Sequence, residues 1–271
     1  MQTLRLVFVA LAIVILTLIG WRAMHKVVPA RQVNSGESSP PAILPRFDDL
    51  PVQRQSIESR LAEAPAYVAF FADLQRDFPA DYDRILGGFA ARAAISGRLE
   101  NPDFYLSETL LRLRQTRGIL AAQATAEPLG RIFEVQAQIL TKLAATAPPL
   151  CVDFLFGGVS DEFFDFSEKN RDLLVTMAEA GLNAILDGQT HKIERPAPTV
   201  EDFDLLENAL VARGLDTIEI GAVLDGKMPD PPLPAARMCA VGRAYLDALQ
   251  SLPEDTRLKM YSLAVELMAR S

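Results

Sequence analysis

Residues 129–143, LGRIFEVQAQILTKL, decide the fold class. Leu129, Ile132, Phe133, Leu140 and Leu143 recur there at three- and four-residue spacing. That period puts them on one stripe of a helix and leaves the other face polar. A single stripe must be buried against a neighbour. Two later segments carry the same signature: Val241, Tyr245, Ala248, Leu249 and Leu252, then Leu258, Tyr261, Val265 and Met268. Between them Ala, Leu, Arg, Glu and Gln dominate, and β-branched runs are scarce, so the body is predicted all-α, a multi-helix bundle of nine or ten helices.

Punctuation agrees with the stripes. Phe78-Pro79 and Asn101-Pro102 place proline at a first helical turn. Thr199 followed by Asp202 resembles a capping box, and Pro253-Glu254-Asp255 opens the last helix with acids in its first turn. Breaks are expected at Gly87-Gly88, Gly97, Pro148-Pro149, Gly157-Gly158, Gly188 and in the loop 225–234, DGKMPDPPLP. The interruption at 191–198 suggests a larger bundle over 47–190 and a smaller one over 191–271, although one continuous bundle fits equally well.

Ahead of the bundle, residues 6–21, LVFVALAIVILTLIGW, hold sixteen positions without a charge. As a helix they rise roughly 24 Å, somewhat less than a ~30 Å hydrocarbon layer, and Arg5 and Arg22 can extend their stems into the headgroups. Residues 1–31 are therefore expected to form one transmembrane anchor with a basic collar of Arg22, Lys26 and Arg31. The alternative is a cleaved signal peptide, but no small-x-small site follows directly. Residues 32–46, rich in proline and serine, read as a tether. Counting positive charges favours a cytoplasmic body, whereas a short amino-terminal tail before the apolar run is the layout of an export signal. The exported arrangement is preferred, with the span in the inner membrane and the helical domain in the periplasm.

All 35 acidic residues lie beyond position 36, and four of the 27 basic ones lie within the first 31. The remainder sets 23 basic groups against 35 acidic, a formal charge of −12. Such a surface argues against nucleic-acid binding. Cys151 and Cys239 are the two cysteines, 88 positions apart. In an exported domain they make one structural disulfide, worth on the order of 4 kcal/mol by loop-closure entropy. In a cytoplasmic domain they would be two buried thiols.

Segment 151–168, CVDFLFGGVSDEFFDFSE, is the most distinctive. On a helix, Asp161, Asp165 and Glu168 share a face, suited to a cation or a basic partner. The plainer reading makes Ser160 a cap, the acids a first helical turn and the phenylalanines core. Arg112, Arg114 and Arg117 could face an acidic partner or phosphate, or stay solvated and pair with Glu108 or Glu127 across helix turns. Pro231 and Pro232 stiffen a loop that could dock a partner or simply connect helices. His191 is the one histidine after the anchor, and it is expected in a polar loop, Gly188-Gln189-Thr190-His191-Lys192. No phosphate loop, nucleophile elbow, metal-ligand spacing or cofactor fingerprint is present. These features point to a membrane-anchored interaction or scaffolding module of the bacterial cell envelope, with an unidentified protein partner. Two other readings are an envelope hydrolase using carboxylates of 153–168, and a carrier or sensor of an apolar ligand.

Overall fold

The computed structural model describes residues 49–156, 160–226 and 228–270. The expected anchor and tether, and the Gly157-Gly158 break, lie outside the described residues. Among the described residues there are twelve α-helices and no strand. None of these helices is long and apolar enough to cross a membrane. The helices are α1 (Leu50–Ala62), α2 (Pro65–Asp77), α3 (Pro79–Ser96), α4 (Pro102–Ala121), α5 (Ala126–Thr146) and α6 (Pro148–Leu155). They continue with α7 (Asp161–Lys169), α8 (Arg171–His191), α9 (Val200–Val211), α10 (Thr217–Asp225), α11 (Ala235–Ser251) and α12 (Glu254–Arg270).

Local chemistry sets most boundaries. Proline stands in the first turn of α1 to α4 and of α6, where its missing N–H leaves no intrahelical bond unmade. Asn101 and Ser160 cap α4 and α7, accepting from the N–H of Phe104 and Phe163. Thr199 and Asp202 form both bonds of a capping box on α9, as do Asp216 and Glu219 on α10. Gly97 and Gly226 end α3 and α10 in the left-handed region, at φ 65° and 63°.

The helix count exceeds the nine or ten expected from sequence, because four further boundaries exist, one of them the turn at 122–125 between α4 and α5. Ala64-Pro65 separates α1 from α2. Asn170 ends α7 by donating its side-chain amide to the Phe166 carbonyl at 2.8 Å, and α8 starts one residue later. The turn at 212–216, with Gly214 at φ 78°, separates α9 from α10. Two expected breaks are absent. Gly87-Gly88 lies inside α3 and Gly188 inside α8. A helix-interior glycine costs only about 1 kcal/mol, which the packing of a long helix offsets.

Helices α4, α5 and α8 make the centre. α4 packs along α8 and α12, and α5 lies against α8 and α11. The α1–α3 pair and α2 cover one side, while α9 and α10 pack chiefly on α11, with α9 also bonded to α12 through Asp202 and Thr256. The stripe that announced the fold is inside: Leu129, Phe133, Leu140 and Leu143 are buried, with Ile132 partly so. Phe133 stacks on Tyr261 at 3.8 Å between centroids, joining α5 to α12. Cys151 of α6 and Cys239 of α11, both buried, meet at disulfide distance with Cα atoms 5.6 Å apart. Beside them Leu155 rests directly on Gly242.

Candidate functional site

A polar concavity among the described residues begins with one carboxylate. Asp103 is the second residue of α4, where the helix dipole favours an acid, and only 2% of it is exposed. The Tyr67 hydroxyl, from α2, donates to its Oδ1 at 2.6 Å. Arg171, the first residue of α8, donates from Nε to Oδ1 at 3.2 Å and from Nη2 to Oδ2 at 2.7 Å. The Arg171 guanidinium also lies 5.9 Å from the Tyr67 ring centroid. Burial together with the neighbouring Asp103 pushes the Tyr67 hydroxyl well above the ordinary phenol range, so it stays a donor. Asp103 is the buried member of this pair, and both its oxygens are hydrogen-bonded, which offsets the cost of taking its charge out of water. The result is three helices fixed at one point.

Over this floor opens a cleft of about 480 Å³. Arg60 and Glu63, at the end of α1, form one rim and pair with each other at 2.8 Å. Glu168, from α7, also lines the cleft, 3.8 Å from Arg171. Leu99 and Glu100 supply the approach to α4. Glu100 makes no ion pair among the described residues, and its backbone N–H donates to the Tyr105 hydroxyl at 3.1 Å. A second hollow, beside Phe89 and Tyr105, encloses about 10 Å³, room for one water at most. Neither hollow lends support to an apolar-ligand carrier.

Asp161, Asp165 and Glu168 are exposed along one edge of α7, and Glu168 alone of the three lines the cleft. Phe163 and Phe166 on the other side of α7 are buried, and Phe164 meets Phe104 of α4 at 6.3 Å between centroids. Ser160 caps the helix as its position suggested. Arg112 pairs with Glu108 one turn back, at 3.5 Å. Arg117 does not pair with Glu127: it reaches the buried Asp81 of α3 at 2.9 Å and lies over the Phe78 ring. Pro231 and Pro232 are exposed in the connection from α10 to α11. His191 is the last residue of α8 rather than part of a loop, with Nδ1 3.0 Å from the Asp187 carboxylate. No group of three or more His, Cys, Asp or Glu among the described residues could hold a metal ion.

Tyr67, Asp103, Arg171 and Glu100 carry the cleft and were not marked in the sequence. Asp103 reads there only as an ordinary acid in a helix's first turn. Its partner Arg171 stands 68 positions away with no local pattern joining the two. Comparison of the chain with protein-family models, with curated proteins and with solved structures gives no match.

Proposed function

We propose that this protein is a single-pass, membrane-anchored interaction or scaffolding module of the bacterial cell envelope, its helical bundle held on the periplasmic side by a short tether. The observation that carries the reading is the pairing of Cys151 with Cys239 across α6 and α11. A buried pair at disulfide distance suits an oxidising compartment, and the sixteen-residue apolar segment supplies the route there. The tether gives a rigid body reach from the membrane. On that body, the acidic edge of α7 and the adjoining cleft offer a partner both charge and shape.

The test is photocrosslinking in living cells, with a photoreactive residue in place of Asp165 and, as control, of Gln115 on α4. The expected result is a discrete adduct from position 165, formed at native abundance and absent from position 115. Adducts equally strong from both positions, or from neither, would overturn the reading.

A further inference from the structure

The charges lining the cleft do not cancel. Asp103 is matched by Arg171, and Glu63 by Arg60. What remains is Glu100, without an ion pair among the described residues, and Glu168, 3.8 Å from an arginine already held in two bonds by Asp103. The lining therefore carries two carboxylates in excess of its guanidinium groups. An anion would have to compete with Asp103 and Glu63 for both arginines. A cation finds acceptors that nothing else has taken.

The kind of cation is also constrained. No cluster among the described residues has the ligand set of a metal site, so a divalent ion has no cage here. A volume of about 480 Å³ lies within the ~300–1,000 Å³ usual for organic ligands. Leu99 and Pro102 add aliphatic wall to an otherwise polar lining. This combination suits a long stem with a charged head, which buries methylenes and keeps its charge among acceptors. Asp161 and Asp165 continue the negative edge of α7 away from Glu168, so the field at the mouth attracts positive charge over a longer stretch than the cleft itself.

We propose that the cleft receives a basic segment of a partner protein, with an arginine or lysine side chain entering between Glu100 and Glu168. The Tyr67–Asp103–Arg171 floor is its positioning device: it ties α2 to the starts of α4 and α8 at Asp103 and Arg171, which stand three residues after Glu100 and Glu168 respectively. The proposal rests on the interaction-module reading and names the chemistry of the partner.

The test uses the full chain in non-ionic detergent and a fluorescein-labelled hexapeptide, Gly-Arg-Arg-Gly-Lys-Arg, read by fluorescence anisotropy. A peptide with glutamate at each basic position is the counter-probe. The E100Q/E168Q protein is compared with D204N/E207Q, which removes two exposed carboxylates from α9, outside the cleft. The basic peptide is expected to bind the wild-type chain and the D204N/E207Q protein alike. It should bind E100Q/E168Q about tenfold more weakly, and the acidic peptide should bind none of them. All four substitutions are at residues that are not buried, and unchanged melting curves establish that the fold is intact. Equal weakening in the two double variants would reduce the effect to general charge attraction and overturn the proposal, as would absence of binding to the wild-type chain. If peptide binding fails while the Asp165 adduct persists in cells, the module reading stands and the basic partner falls. If the adduct fails while the peptide binds the cleft, the module reading falls and the partner proposal with it, leaving only a cleft that prefers basic peptides.

Discussion

Asp202 closes the capping box of α9 through Thr199 and, with its other oxygen, accepts the Thr256 hydroxyl from α12. Lys259 adds a weaker contact at 3.5 Å. The Thr199 backbone N–H, followed by the Thr256 hydroxyl, holds the Asp202 carboxyl below its ordinary value of 3.8. Arg237 does the same for Glu219, whose ordinary value is 4.5. Both folded pKa values lie under the unfolded ones, so the charged forms favour the fold. That contribution is complete above about pH 5 and is lost as the pH falls through the depressed folded values. The urea midpoint is expected to drop between about pH 5 and pH 2, and to drop less steeply in D202N/E219Q. Parallel slopes for the two proteins would assign the acid sensitivity elsewhere. The Thr199–Asp202 spacing was readable from sequence because a capping box is local. The bonds to Thr256 and Arg237, like Asp103 to Arg171, join residues with no sequence relation, so only the assembled fold reveals them.

At the scale of the helix, two glycines with the same sequence appearance have opposite roles. A Cβ on Gly188 would stand 1.8 Å from the Leu120 carbonyl oxygen and 2.7 Å from its carbon. Those are backbone atoms of α4, which cannot swing aside. The close approach there also serves the chain that follows, since the Ile193 N–H donates to the Gln123 carbonyl at 2.8 Å and Arg195 donates to the carbonyls of Ala122 and Ala124. Gly188→Ala is expected to cost about 3 kcal/mol or more, or to prevent folding. Gly87, also inside a helix, has nothing within 4 Å of such a Cβ. Gly87→Ala is expected to stabilise by about 0.5–1 kcal/mol through helix propensity alone. Thermal melts of the two variants check both signs, and a harmless Gly188→Ala would show that α8 does not sit on α4 as described. Composition marks both positions as breaks because glycine is a poor helix former. Packing decides otherwise, and packing is not a local property. The apolar stripes, by contrast, were legible because their period records the buried face directly.

The whole molecule joins its early and late helices twice: through the α4–α12 and α5–α11 packing, and through Cys151 and Cys239. Helical class, several helix starts and the existence of one cysteine pair could be read from the chain, since each depends on pattern or count. The cleft could not, because it is assembled from the end of α1, the start of α4 and the junction of α7 with α8, which no sequence period links. Placement of this body in the envelope rests on the apolar segment at 6–21 and on the oxidation state of the cysteines. The most direct measurement is thiol labelling of the full chain from intact cells, quenched, denatured and treated with a bulky maleimide before and after reduction. The chain has only two cysteines, so the reading is unambiguous. No mass shift before reduction and a double shift after it is the expected result, placing a closed disulfide in an oxidising compartment. A double shift without any reductant would mean two free thiols in cells, and would contradict both the bond and the periplasmic placement built on it.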